Sequence, residues 1–266
     1  MARKTASTKT KKTNKYEIPN LKKAFEALEQ ISSVHGGMTF PQLLERISCN
    51  KTSFFRILLT LEGIGYIRKN PETDAYTVSR KILPLAYSSL CDANLIEESV
   101  HTMRELRDLT GETVMLGAFI DSECVMICQE TGTHPFNFTG TLGMTSPMHA
   151  SAPGKALLSA IDEAEADKIL SESELKKCAS NTITSAKILK PKLSEYAQKG
   201  YAYDESEAVD GVNCVASAIY DAHKTPVAVI WITGPSSRIK AEDFESLGKS
   251  VKEAALSISR RMGLNK

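Results

Sequence analysis

Three groups of residues in this 266-residue chain have side chains suited to chemistry. Lys51, Thr52, Ser53, Phe55, Arg56 and Thr60 share the polar side of one helical stretch. Arg68 and Lys69 follow soon after. Their donors and charges match base edges and phosphates in a DNA major groove. The second group is the turn Ser151-Ala152-Pro153-Gly154, which is expected to open a helix at Lys155. Free N–H groups at a helix start attract anions, and a carboxylate suits them. The third group is cysteine and histidine. Cys124 and Cys128, with His134 and His149, match no common zinc spacing. The run Cys124–Cys128 reads instead as a strand with both thiols on one face. Ala152-Pro153-Gly154-Lys155-Ala156 lacks the spaced glycines and the Ser/Thr of a phosphate loop. His149, Ser151 and Asp204 suggest a triad, but no nucleophile elbow surrounds the serine. No catalytic residue, metal ligand or cofactor site is therefore predicted, and the chain does not read as an enzyme.

The DNA-reading residues need a frame, and the sequence supplies one from 20 to 78. Asn20 can cap a helix in which Leu21, Ala24, Phe25, Leu28 and Ile31 line one side, ending near His35-Gly36-Gly37. Thr39, Pro41 and Gln42 form a helix start of the capping-box kind, followed by Leu43, Leu44 and Ile47. Asn50 caps the next helix, Lys51 to about Glu62, whose Phe54, Ile57, Leu58 and Leu61 face a core. Strands are expected at Tyr66–Lys69 and Ala75–Val78 around the turn-rich Asn70–Asp74. Helix, short turn, helix and basic hairpin in that order make a winged helix-turn-helix. A protein-binding helical lobe would not need the hairpin.

Charge supports the same division. Whole-chain charge is only +1, yet residues 1–80 hold 14 Lys/Arg against 7 Asp/Glu, and residues 81–266 hold 19 against 25. A basic front and an acidic back imply one part that meets a polyanion and one that does not. Residues 1–15 carry six Lys/Arg and no acid, and are expected to be a disordered basic tail. They lack the apolar region of a signal peptide, and no 18-residue apolar run occurs anywhere. Six scattered cysteines without a CxxC pair read as free thiols of a cytoplasmic protein. The expected organisation is a tail (1–15), a winged helix-turn-helix domain (16–80), an apolar linker helix (81–93) and a second domain (94–266).

That second domain begins at a cap, Asn94, with Val100, Met103, Leu106 and Leu109 marking its first helix. Strands follow at Glu112–Ile120, Cys124–Gln129, Tyr201–Tyr203, Cys214–Tyr220 and Pro226–Ile232. Helices are expected at Gly154–Ser159, Asp162–Leu170, Pro191–Lys199 and Lys240–Met262. Strands joined mostly by turns, with helices before and after, give an α+β class with a largely antiparallel sheet.

Specific runs then carry a resemblance. They are Arg56-Ile57-Leu58-Leu59-Thr60-Leu61 with Gly65-Tyr66, and Thr110-Gly111-Glu112-Thr113-Val114. Next come Pro147-Met148-His149-Ala150-Ser151 with Gly154-Lys155-Ala156-Leu157-Leu158, Thr182-Ile183-Thr184, and Gly200-Tyr201-Ala202-Tyr203-Asp204. Glu207, Gly211, Cys214, Ala216 and Gly234-Pro235 complete them. In this order the chain resembles the IclR family of bacterial transcriptional regulators over residues 20–262. The resemblance implies a winged helix-turn-helix, a linker helix and a GAF-like effector domain. It also implies homodimers or homotetramers that bind a DNA operator and respond to a small organic acid. The family's ligand positions correspond to Ala152, Pro153, Asp204, Cys214, Trp231 and Thr233. At the last two the best-known pattern has small hydroxyl residues, so Trp231 departs sharply while Thr233 keeps the chemistry. Pro153 is a second departure, because it removes one N–H donor. An indole at 231 disfavours the smallest keto acids and leaves ring-bearing or sugar-derived acids open. A different outcome, an enzyme acting on a small organic acid with an accessory DNA-binding domain, would show as turnover.

Overall fold

A proline at the first position of a helix loses no hydrogen bond. Pro19 accordingly opens α1 (Pro19–Ser32), with Ile18 rather than Asn20 at the cap. The computed structural model describes residues 18–34, 36–83, 85 and 95–264. The chain divides into two units, Met1–Cys91 and Asp92–Lys266. The expected basic tail, the Asn94 cap and most of the linker lie outside the described residues.

In the first unit, α1 buries Ala27, Leu28 and Ile31, whereas Leu21 and Phe25 stay more than half exposed. The apolar side of α1 is thus wider than the core it meets. After β1 (Met38–Thr39) comes α2 (Phe40–Arg46), where Gln42 accepts from the Thr39 amide at 2.8 Å and completes the capping box. The Asn50 side chain accepts from Thr52 N at 3.0 Å and starts α3 (Lys51–Gly63). Phe54, Ile57, Leu58 and Leu61 are its buried residues, as their spacing requires. The wing consists of β2 (Ile67–Lys69) and β3 (Ala75–Val78), and β1 adds a third strand that the sequence did not signal. Their order is β1-β3-β2, antiparallel throughout. Asn70 Oδ1 holds the turn by accepting from the amides of Glu72 and Thr73.

The second unit is a six-stranded antiparallel sheet with helices on both faces. Its helix α4 (Leu95–Thr110) precedes the hairpin β4 (Thr113–Ile120) and β5 (Glu123–Glu130). Asp121 and Ser122 both take positive φ there, the twist that a two-residue hairpin needs. Then come β6 (Thr145–Ser146), α5 (Ala152–Leu158), α6 (Glu163–Glu172) and α7 (Ala186–Lys199). The chain ends with β7 (Ala202–Glu205), β8 (Val212–Tyr220), β9 (Pro226–Pro235) and α8 (Phe244–Arg261). The strand order is β6-β5-β4-β9-β8-β7. One face packs on α5, α6 and α7, through residues such as Ala156, Ile169, Leu189 and Trp231. The other packs on α4 and α8, through Met103, Leu106, Val251 and Ile258. The fold is α+β.

Several expectations are corrected. Leu109 is 70% exposed, because α4 turns Leu95, Ser99, Thr102, Met103 and Leu106 to the sheet instead. The α7 helix starts at Ala186, so Pro191 lies inside it rather than at its start. Cys124 and Cys128 do not share a face. The register passes from Leu116↔Cys128 to Gly117↔Met126, so Ile127 is an extra residue on β5. Cys124 therefore joins the α5–α7 core and Cys128 packs toward the α4–α8 core, which parts the imagined metal pair. No helix among the described residues is long and apolar enough to cross a membrane.

Candidate functional site

The reading helix presents Lys51, Thr52, Phe55, Arg56 and Thr60 as exposed residues, with Ser53 half-buried. Among the described residues the Arg56 side chain has no hydrogen bond or ion pair, so its guanidinium is available to an outside partner. Thr60 instead returns its hydroxyl to Arg56 O at 2.8 Å. Ser53, Arg56 and Thr60 border a groove of about 550 Å³ between α1 and α3, together with Leu21, Phe25 and Ile64. They occupy one flank of the helix rather than its outermost line. That line also carries Leu59, 48% exposed, an apolar residue the sequence reading did not single out. Phe55 neither stands free nor reaches the wing. Its ring meets Phe40 of α2 edge-on, 5.9 Å between centroids. On the wing Arg68 is exposed, while Lys69 pairs with Asp74 at 2.7 Å. The hydrogen bond to Asp74 raises the Lys69 pKa, so Lys69 stays a cation that a phosphate would share with Asp74.

In the second unit, the register brings the expected effector residues into rows. Asp204 on β7 stands opposite Cys214 on β8, which stands opposite Thr233 on β9, which stands opposite Thr113 on β4. Directly opposed residues share a face, so this is one polar row across four strands. Cys214 Sγ lies 3.2 Å from Thr233 Oγ1. The next row is Ala202, Ala216, Trp231 and Met115. Helix α5 packs across β7, β8 and β9 on this face, with Ala152 buried against the same core as Trp231. Asp204, Cys214, Trp231 and Thr233 thus lie on one face, and Ala152 of α5 packs on the same core. Thr113, fully buried with its hydroxyl accepting from Gly132 N at 3.1 Å, is an unforeseen member of the row.

Two local details alter the picture. The helix begins at Ala152 rather than Lys155, capped by Ser151, whose Oγ accepts from Gly154 N at 3.1 Å. Pro153 has no N–H and Gly154's is used, which leaves the Ala152 amide at the helix start. Trp231 is 4% exposed and its indole lies over Gly117. A Cβ at 117 would sit 3.1 Å from the indole and 2.8 Å from Cys124 Sγ. The absent side chain of Gly117 is the space that admits the indole.

Behind the row lies a buried charge cluster that sequence reasoning missed. Lys155 is wholly buried and donates to Glu207 Oε1 at 2.6 Å. Its ammonium also lies 5.7 Å from the centre of the Tyr196 ring. Glu207 Oε2 and the Tyr196 hydroxyl have no partner among the described residues. Asp204 Oδ1 accepts from the amides of Glu207 at 2.6 Å and Ala208 at 3.3 Å. Burial outweighs those bonds and the nearby lysine and pushes the Asp204 carboxyl up to about 6. Burial pushes the Cys214 thiol up to about 12, a protonated and unreactive state. Burial also lowers Lys155, against the pull of Glu207 and Asp204. One signal for this cluster was legible: a lysine within the small and apolar run Ala152–Leu158 has nowhere to go but inward.

Comparison with known proteins adds the family. The model of the IclR helix-turn-helix domain matches residues 20–71, and that of the bacterial transcriptional regulator IclR C-terminal domain matches residues 87–260. The acetate operon repressor of Salmonella typhimurium is 30% identical over 249 residues, covering 93% of this chain and 91% of that protein. The HTH-type transcriptional regulator KdgR of Dickeya chrysanthemi is 29% identical over 262 residues, covering 94% and 85%. The crystal structure of Thermotoga maritima IclR superposes with a TM-score of 0.74 at 29% identity, covering 92% of this chain and 99% of that one. The chain belongs to the IclR family of bacterial transcriptional regulators.

Proposed function

We propose that the chain is a sequence-specific operator-binding regulator whose DNA affinity is set by a small carboxylated metabolite held on the α5 face of the second unit. The observation that carries this reading is the row Asp204–Cys214–Thr233 on the face that α5 covers. It lines up a carboxyl, a thiol and a hydroxyl, with Ala152 of α5 packed on the same core and Trp231 in the next row. A monocarboxylic acid with a ring or sugar-like body would set its carboxylate by Cys214 and Thr233 and its body against Trp231. Lys51, Thr52, Arg56 and Arg68 would contact the operator, with Ser53, Phe55, Thr60 and Lys69 at the edges of the interface. The chain works as a homodimer or homotetramer in the cytoplasm. The exposed Leu21, Phe25 and Ile64 beside the α1–α3 groove support self-association, because lone helical lobes seldom leave such residues together in water.

No bond is made or broken. The Cys214 thiol, pushed up to about 12, is no nucleophile at neutral pH. Control is by linkage: an acid that binds two arrangements of the reading heads unequally shifts operator affinity by that inequality. A thermal-shift screen of organic acids, followed by gel shifts on operator DNA, tests this. The expected result is an acid that raises Tm and changes operator affinity. Turnover of the acid, or operator binding that no acid alters, overturns it.

A further inference from the structure

The buried face holds an unbalanced set of charges. Lys155 answers Glu207 at 2.6 Å and acts on Asp204 only without a hydrogen bond, so one cation serves two buried carboxyls. Asp204 is 1% exposed, and its Oδ1 is taken by two amides. A carboxylate set against Cys214 lies one strand from Asp204, about 5 Å, because Asp204 is the direct partner of Cys214 on β7. Two carboxylates at that spacing cannot both stay ionised away from water without compensation. The start of α5 offers little, since Pro153 has no N–H and Gly154's is bound to Ser151.

We propose that this regulator takes up its acid together with one proton, held on Asp204, so that its effector site senses acid and pH jointly. The inference rests on the carboxylate reading above. Two carboxyls border the row: Glu207, whose Oε1 takes Lys155 and whose Oε2 has no partner among the described residues, and Asp204, which stands directly opposite Cys214 and so is the proton's place. From α5 comes Lys155, already bound to Glu207, and from β8 comes Cys214, protonated throughout the neutral range. Tyr196, on α7, is raised by burial and stays neutral, and Lys192 of the same helix acts on Lys155 only at a distance. Tyr203 precedes Asp204 on β7, while β9 contributes the neutral Thr233. Ligand-free Asp204 titrates near 6. A bound acid raises that further, so binding takes up a proton above pH 6 and not below it. Affinity is then nearly flat below pH 5.5 and weakens above 6 with a slope that approaches about tenfold per pH unit only beyond pH 7. Between pH 6 and pH 8 it falls roughly 50-fold.

The test uses pyruvate, phenylpyruvate and gluconate, whose carboxyls are ionised across this range. Calorimetry at pH 7.5 in two buffers of different ionisation enthalpy reads proton uptake directly. An uptake near one supports the inference, and measurable binding with no uptake overturns it while leaving the carboxylate site intact. Failure of all three acids at both pH 5.5 and pH 7.5 overturns the carboxylate reading and this inference with it. Independently, carbon-13 NMR of the unliganded chain should show Asp204 titrating near 6. A midpoint below 5 removes the proton acceptor. Asp204→Asn should bind the same acid with an affinity that no longer changes between pH 6 and 8. A persistent 50-fold change in that variant places the proton elsewhere and overturns the assignment.

Discussion

A carboxyl pushed up by burial costs stability whenever it ionises, and Asp204 allows that cost to be worked out. Its folded-state value is about 6 against an ordinary 3.8. The group is 1% exposed, so solvent screening does not discount it. The difference is about 2 units, or on the order of 3 kcal/mol at 1.36 kcal/mol per unit. The sign follows from the raised value. The folded state holds the proton more tightly, so this stability is fully present below pH 3.8 and is lost as pH rises through 6. Asparagine keeps the shape and an oxygen for the amides of Glu207 and Ala208 but never ionises. Asp204→Asn should therefore match the parent near pH 4 and exceed it by about 2–3 kcal/mol at pH 8. Urea unfolding at several pH values, followed by the fluorescence of Trp231, measures the difference. A variant that is equally stable or weaker at pH 8, or a gap that does not change with pH, refutes the burial argument.

Other consequences follow from particular contacts. Arg56→Ala should lower operator affinity by roughly 1–3 kcal/mol with the fold unchanged, and an unaltered gel-shift titration removes Arg56 from the interface. Lys155→Met leaves Glu207 and Asp204 without a buried cation and should cost about 3–5 kcal/mol. Adding Glu207→Leu should recover most of it, and a strictly additive double-mutant cycle would disprove the pairing. Trp231→Ser removes an indole 96% withdrawn from solvent and should cost about 3–5 kcal/mol. It should at the same time open the site to bulkier acids; unchanged Tm in that variant would show that the indole does not fill the face.

The first unit was legible because its signals are local. The Thr39/Gln42 box, the Asn50 cap and the Phe54-Ile57-Leu58-Leu61 spacing each act within one or two turns, and each appears where its chemistry places it. The β1 strand was not, since two residues carry no period and its pairing with Tyr76 and Ala75 is tertiary. In the second unit, every strand but the two-residue β6 was legible, though facing was not always. A single extra residue at Ile127 reversed the side on which Cys128 lies. Pro191 is the sort of residue that marks a helix start, yet α7 begins five residues earlier and carries it inside. The site shows the same limit. Thr233 and Trp231 share a face by simple alternation, whereas Thr113 joins the row only through the β4–β9 register. Nothing local couples Lys155 to Glu207, 52 residues away.

The two departures from the family pattern, Trp231 and Pro153, acquire a common meaning on this face. Trp231 fits because Gly117 has no side chain; a methyl there would meet both the indole and Cys124 Sγ. The indole thus reaches over Gly117 toward Cys124, and position 231 presents no hydroxyl in the row next to Thr233. Pro153 removes a backbone donor at the same place, and Ser151 holds the Gly154 amide. Each change weakens the site's hold on a bare anion. What replaces that hold is the carboxyl at the other end of the row. A protonated Asp204 is a donor rather than a charge, and burial has already brought it within about one unit of neutral pH. The amides of Glu207 and Ala208 fix its Oδ1 and leave Oδ2 as the oxygen to carry the proton. On the proposed reading, a site that lacks the Pro153 amide and a hydroxyl at position 231 regains a donor by binding a proton with its ligand.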